Sequence, residues 1–506
     1  MKKNLIIVSC YLFFFTDIHA QLAGDLDSTF SFDGYSTTYY NPNGSFTDVA
    51  IQTDGKIIGT GHNNNNEMVS VRYNSNGSLD NTFGVGGIVY KYFGSIWPRF
   101  NELQSDGKLL IAGVDFITSY VSYNVLRYNS NGTIDSTFDS DGEAVIFPGL
   151  VSNSLGDMKI QPDGKILLAG TCDNGTQFHD MSILRLNIDG SIDSTFDNDG
   201  FAKVSSGAYY PNINTMAVQS DGKIVIGGNL ETGGIHNYIL VRFNANGSID
   251  STFNDDGIAQ TVSLPDNYFK SIALQPDGKI VALGDIQLAG GKDFFLARFK
   301  SNGSLDSIFG SNGFLTTDFN FTNDFAYDVS IQTDHKIVVT GYTTNPSSYY
   351  CIAIARYDSI GTLDINFGTY GKVTNLLGQF TTSYACDLQN DGKIIIAGSQ
   401  LPLTNNNQYF LVARYLAESP VGINNYENED KVLIYPNPFD NHIIIEMEKK
   451  INDQKVFVLD LYGRLIISKS FDNNIKLDLM SVQSGLYFIQ IVDRVGKMKV
   501  FKMIKK

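Results

Sequence analysis

Apolar and polar residues alternate along most of this chain in short runs, and the runs are cut by Asp-Gly and Asn-Gly pairs. Alternation with period two predicts strands with one face buried, and closely spaced turns predict antiparallel neighbours. Hardly any segment repeats its apolar residues at helical spacing. A typical stretch runs Asp48-Val49-Ala50-Ile51, then Gln52-Thr53-Asp54-Gly55-Lys56, then Ile57-Ile58. Two strands around an Asp-Gly turn predict a β-hairpin, with glycine supplying a positive φ that other residues resist.

The hairpin string Gln-x-Asp-Gly-Lys recurs, starting at Gln52, Gln104, Gln161, Gln219, Gln275, Gln332 and Gln389, a period of about 57 residues. The sixth copy carries His335 in place of glycine, and histidine is among the residues that tolerate the left-handed region. About twenty residues on, each copy has a strand ending in arginine: Arg72, Arg127, Arg185, Arg242, Arg298, Arg356 and Arg414. A turn follows, such as Asn74 to Phe83, and then a last strand, such as Ile88 to Tyr92. Four strands per copy are the content of one propeller blade, so seven copies predict an all-β, seven-bladed β-propeller.

Eight residues after the arginine, six copies place an aspartate: Asp80, Asp135, Asp193, Asp250, Asp306 and Asp364. Arg414 has none, but Asp25-Leu26-Asp27-Ser28-Thr29-Phe30 supplies the missing string near the N-terminus. The array is therefore circularly offset. Such an offset benefits a closed ring, because both chain ends then share one blade and no bare edge remains. Each arginine is expected to pair with its aspartate as a structural ion pair, with Arg414 meeting Asp27 across the closure. The competing reading, a ring of arginines binding an anion, fits less well beside matching carboxylates.

The hairpin, the Arg-Tyr-Asn-x-Asn-Gly-x-Leu-Asp-x-x-Phe turn and the period together resemble the delta-60 repeat family of bacterial secreted proteins. The resemblance covers about 400 residues and implies repeat architecture and an extracellular address. It brings no ligand and no catalytic residue.

After Tyr415 the pattern stops. Residues 418–430 read as a polar linker, and alternating strands then run from Val432 to Met503, predicting a small antiparallel β-sandwich over 431–506. This segment resembles the type A sorting domain of the type IX secretion system. The resemblance rests on Tyr435-Pro436-Asn437-Pro438, on Gly463-Arg464, on Gly485 and Tyr487, and on basic residues such as Lys499 and Lys502 near the end. It implies recognition by the type IX machinery, export across the outer membrane of a Gram-negative bacterium, and release or surface attachment. The prolines and glycines also suit turns, and both roles are compatible.

The first twenty residues read as a signal peptide: Lys2 and Lys3, an apolar run from Leu5 to Phe15, and Ala20 before a cleavage point. Ile7-Val8-Ser9-Cys10 also resembles a lipoprotein box, but the apolar run continues beyond that cysteine. The mature propeller would then span residues 21–417, and no later segment could cross a bilayer as a helix.

Charge narrows the partners. Residues 21–420 carry 22 basic and 41 acidic side chains, and residues 421–506 carry 13 and 11. An array at −19 repels phosphate backbones, which excludes nucleic acid as the expected partner. Cys172, Cys351 and Cys386 have no disulfide or zinc spacing and read as buried apolar residues. Strings such as Asp139-Ser140-Asp141-Gly142 and Asp197-Asn198-Asp199-Gly200 resemble fragments of calcium loops but lack the closing glutamate. They read as turns. No cofactor, metal or catalytic motif stands out. His179 and His236, six residues before their arginines in the loop entering the third strand, are candidates for a binding rim. The expected function is a non-catalytic extracellular module that binds glycan or protein. Two alternatives remain: a propeller hydrolase or lyase acting on polysaccharide, and a structural surface component.

Overall fold

The computed structural model describes residues 21–418 and 432–506, apart from 41, 93–96, 116–120, 150–153, 174, 176–178, 206–210, 233–234, 261–268, 289, 320–322, 437, 448–453, 461–463, 473 and 493–497. The signal-peptide and lipoprotein-box residues lie outside this set. The chain forms two compact units, Met1–Pro420 and Val421–Lys506. Among the described residues there is no helix.

The first unit is a seven-bladed propeller of four-stranded antiparallel sheets. Blade 1 shows the plan: Gly44–Ile51, Ile57–Asn63, Glu67–Tyr73 and Ile88–Tyr92, from axis to rim. The two middle strands are buried almost throughout, whereas the outer strand buries only Val89 and exposes Tyr90 and Tyr92. Sheets covered on both faces need continuous apolar strands, whereas a half-covered strand alternates. The Asp-Gly turns adopt left-handed backbone, with φ of 82° at Gly55 and 68° at His335.

The ring closes through the N-terminal segment. Tyr35–Thr38 adds to Tyr409–Tyr415 as the outer strand of blade 7, in register from Tyr35 against Ala413 to Thr38 against Phe410. The Asp27 N–H donates to the Arg414 carbonyl at 2.8 Å, and the Arg414 N–H donates to the Gly34 carbonyl at 2.9 Å. First strands of successive blades pack side by side around the axis, and Gly44–Ile51 meets Phe380–Leu388 of blade 7 to complete the circle.

The apolar core lies in the seams between blades. Leu167 and Ile183 of blade 3 pack with Ile226 and Ile239 of blade 4, and Ile395 and Val412 of blade 7 pack with Phe46 and Val69 of blade 1. The closing seam is thus built like the others. Burial at these seams, about 1.5–3 kcal/mol per large side chain, ties neighbours together.

The second unit is a sandwich of two antiparallel sheets. Val432–Tyr435, His442–Met447 and Asn474–Asp478 form one; Leu465–Phe471, Gln454–Asp460, Gly485–Val492 and Met498–Lys505 form the other. Ile443, Ile445 and Leu477 of the first sheet share a core with Val456, Ile489 and Ile491 of the second.

Candidate functional site

The repeated arginines and aspartates come together in every blade. Arg72, Arg127, Arg185, Arg242, Arg298, Arg356 and Arg414 donate from Nε to Oδ2 of Asp80, Asp135, Asp193, Asp250, Asp306, Asp364 and Asp27 at 2.7–3.0 Å. Each guanidinium also lies 4.4–4.8 Å from the ring centroid of the turn phenylalanine, from Phe83 in blade 1 to Phe30 in blade 7. Nη1 then crosses to the next blade, as from Arg185 to the Ala245 carbonyl at 2.8 Å. Arg414 likewise reaches the Ser75 carbonyl of blade 1 at 2.6 Å.

Sequence reading gave the hairpin lysine no role, yet it converges on the same carboxylate: Lys165 to Asp193 at 2.7 Å and Lys223 to Asp250 at 2.8 Å. Burial by itself raises these carboxyls. Hydrogen bonds from the Thr82 side chain and backbone, then the charges of Arg72 and Lys56, outweigh it and hold Asp80 down to about 2. Each arginine is enclosed in a seam and paired with its carboxylate, which favours a structural role for this network.

The axis is different. Each first strand carries a β-bulge, and the bulged residues are Thr47, Arg99, Gly156, Asn214, Lys270, Tyr327 and Tyr384. A bulge re-aims side chains and interrupts a ladder, so such positions concentrate next to functional sites. All seven line one cavity of about 670 Å³ at the mouth of the channel. They lie five residues before the repeated glutamine, and no two neighbouring blades offer the same residue except blades 6 and 7.

Blades 6 and 7 extend that mouth into a connected tier of rings. Tyr327 meets Tyr384 edge-on at 4.8 Å, and Tyr342 stacks with Tyr327 at 5.7 Å and with Tyr350 at 5.0 Å. Tyr350 meets Phe380 at 4.9 Å, and Phe325 lies 5.0 Å from Tyr342. The Lys270 ammonium sits 4.4 Å over the Tyr327 ring and 2.6 Å from Asp285 Oδ2. Burial pushes the Tyr342 hydroxyl up to about 12, offset in part by its hydrogen bond with Tyr327, so it stays protonated at neutral pH.

Below the mouth a second cavity of about 350 Å³ continues down the channel. It holds Asp48, Glu102, Asp157, Asp328 and Asp387 with Lys159. Most of these carboxylates serve as latches between blades: Asp48 accepts the Asn101 N–H at 2.7 Å, Asp157 that of Met216 at 2.6 Å, and Asp328 that of Cys386 at 2.8 Å. Asp387 accepts from Ile51 at 3.1 Å. Lys159 bonds Glu102 at 2.7 Å. Burial raises Asp157 and Asp387 to about 6, although their backbone hydrogen bonds pull the other way.

His179 opens the strand His179–Leu186, and His236 lies within the strand Ile235–Phe243, so both are strand residues and not loop residues. His179 does not line either cavity, and the His236 side chain lies outside the described residues. In the same register of other blades, however, Gln408 lines the mouth, Tyr350 joins the aromatic tier and Lys292 approaches the Phe325 ring at 5.8 Å.

In the C-terminal unit, Tyr435 is exposed and donates to Glu446 at 2.5 Å, followed by exposed Pro436 and Pro438. Exposed Arg464 bonds Asp460 at 2.6 Å. Gly485 opens a strand on which Tyr487 turns into the core, its hydroxyl donating to the Gln483 carbonyl at 2.7 Å. Lys499 and Lys502 lie on the final strand opposite Ile491 and Phe488. Their side chains, Asn437 and Gly463 fall outside the described residues.

Family comparisons agree with both units. Residues 52–83, 104–138, 161–196, 219–253, 275–309, 332–367 and 389–419 match the family described as a domain of unknown function (DUF5122) beta-propeller. Residues 433–506 match the secretion system C-terminal sorting domain. The protein is a seven-repeat member of this propeller family with a sorting domain at its C-terminus. The sorting domain marks the propeller for the type IX route, to the cell surface or the extracellular space. Among the described residues, no helix is long and apolar enough to cross a membrane.

Comparison of the propeller protein with curated proteins finds no match. Matches among solved structures include the extracellular domain of the putative one component system BT4673 from B. thetaiotaomicron, at 11% identity and a TM-score of 0.37. That match covers 96% of this chain, and this chain spans only 58% of that structure's length. The polysaccharide lyase Uly1 matches at 10% identity and a TM-score of 0.45, over 75% of this chain and 91% of its own. A protein of unknown function from Dyadobacter fermentans matches at 10% and 0.36, over 75% and 97%.

Proposed function

We propose that this protein is a secreted, non-catalytic propeller that binds an acidic glycan at its axial mouth, after removal of residues 1–20 and export through its sorting domain. The observation that carries the reading is the tier of six rings on blades 6 and 7, set beside Lys270 at the rim of a cavity of about 670 Å³. Aromatic faces pack against the C–H faces of sugar rings while hydroxyls and amides at the edge take the polar atoms. Asn214, Gln408 and Thr47 supply such groups in the same cavity. Its described lining residues include Arg99 and Lys270 and no Asp or Glu; Asp285 balances Lys270 at 2.6 Å, so within an array at −19 Arg99 is the charge that suits the mouth to a uronate or sulfate group.

A glycan array probed with the purified protein tests this. Uronate-containing or sulfated glycans are expected to bind, and Tyr327→Ala and Lys270→Ala are expected to weaken that binding at least tenfold. Retention by the double variant would remove the mouth as the site.

A second reading, a hydrolase or lyase, draws on the channel carboxylates, among which burial raises the proton affinity of Asp48, Asp157, Asp328 and Asp387. Asp48, Asp157, Asp328 and Asp387 each bond a backbone N–H of the next blade, which favours a structural role. Cleavage of a bound glycan during incubation, lost in Glu102→Gln, would reverse that preference.

A further inference from the structure

Three carboxylates from separate parts of the chain converge where blade 5 hands over to blade 6. Asp293 lies on the third strand of blade 5, Asp318 follows its fourth strand Phe314–Thr317, and Asp324 begins the first strand of blade 6. One carboxylate oxygen from each lies within 4.8 Å of the others. Asp324 is fully buried. Its carboxylate is held by the Phe319 N–H, which donates to Oδ2 at 2.6 Å, and by the Thr343 side chain, while its Oδ1 has no hydrogen-bond partner among the described residues. A buried carboxylate oxygen left unpaired beside two other carboxylates is costly unless a cation occupies the gap.

We propose that Asp293, Asp318 and Asp324 bind a calcium ion that fastens the end of blade 5 to the start of blade 6. An all-oxygen set of this kind is the donor type of hard divalent cations, and calcium tolerates its irregular geometry better than magnesium does. Charge agrees as well. Lys372 donates its ammonium to the Asp318 backbone carbonyl at 2.9 Å, not to a carboxylate, so the three carboxylates keep their negative charge for a divalent ion.

The site is distinct from the strings that look like calcium loops in the sequence. Those strings make turns, with left-handed backbone at Asp139, Ser140, Asp197 and Asn198. It also stands next to the glycan tier without belonging to it: Phe325 follows Asp324 directly, and Lys292 precedes Asp293.

The test uses the whole secreted protein, stripped with chelator and titrated with calcium chloride by calorimetry, with melting temperature followed in parallel. One site of roughly 10⁻⁴–10⁻³ M is expected, as in extracellular modules, with a rise in Tm of about 1–3 °C at saturation. Asp324→Asn keeps an acceptor for the Phe319 N–H and removes the charge; it is expected to lose at least tenfold in affinity and the Tm response with it. Asp293→Asn, at a half-buried position, is expected to do the same and serves if the buried variant folds poorly. Absence of binding heat at ~10 mM calcium, or unchanged affinity in Asp293→Asn, would overturn the assignment.

Discussion

Two populations of aspartate titrate in opposite directions in this propeller, and their difference is set by what surrounds each carboxyl. In the seams, threonine hydrogen bonds together with Arg and Lys charges overcome burial, and Asp80 and Asp135 sit at about 2. A folded pKa below the unfolded value near 3.9 gives stability that is present above about pH 4 and lost as pH falls toward 2. In the channel, burial dominates and Asp387 and Asp157 rise to about 6. A raised folded pKa gives stability that is complete below about pH 4 and lost as pH climbs through 6. Thermal melting from pH 3 to 8 is therefore expected to peak near pH 4 and to decline between about pH 4 and 6. Asp387→Asn is expected to flatten the decline between about pH 4 and 6 and leave the acid limb unchanged. A decline of equal slope in the variant would assign that limb to other groups.

At the scale of the element, the bulge on each first strand imposes a demand on the strand beside it. The second strand carries glycine at the facing position in all seven blades: Gly61, Gly113, Gly170, Gly228, Gly284, Gly341 and Gly398. A Cβ on Gly61 would sit 1.9 Å from the Ser45 carbonyl oxygen, and one on Gly228 would sit 1.7 Å from that of Asn212. The glycine is required by close approach of the bulged backbone, not by its φ. Gly228→Ala is expected to cost about 2–3 kcal/mol through displaced backbone, read as a lower denaturation midpoint. The bulge in turn aims Thr47, Arg99, Asn214, Lys270, Tyr327 and Tyr384 into the mouth, so the same variant is expected to weaken glycan binding although its side chain touches no ligand.

Closure governs the whole molecule. Tyr35–Thr38 covers an edge that would otherwise expose the backbone of Tyr409–Tyr415, and Asp27 carries the ion pair with Arg414 at 2.9 Å. Arg414→Ala leaves a buried carboxylate with Lys393 3.6 Å away as its remaining cation, and it removes the bond to Ser75 of blade 1. We expect a loss of about 3 kcal/mol. Removal of residues 21–38 should do more: an open edge strand promotes association. Size-exclusion chromatography is expected to show aggregates, and limited proteolysis to show early cuts in blade 7. A truncated chain that stays monomeric and protease-resistant would mean that the inter-blade seams alone hold the ring.

The repeat determined the fold because its information is local: turn glycines, alternating apolar residues and a period of about 57 residues recur seven times, and the offset of Asp27 against Arg414 dictated a circle. The C-terminal unit was legible for the same reason, through strands separated by turns. The mouth was not legible. Its bulge residues lie one to a blade, about 57 positions apart, and only the tyrosines of blades 6 and 7 match their neighbour; what unites them is a bulge that turns each toward a common axis. Asp293, Asp318 and Asp324 likewise meet only after two blades have packed. Local periodicity specifies strands and their partners, but convergence of single side chains depends on closure of the ring, and that exists only in three dimensions.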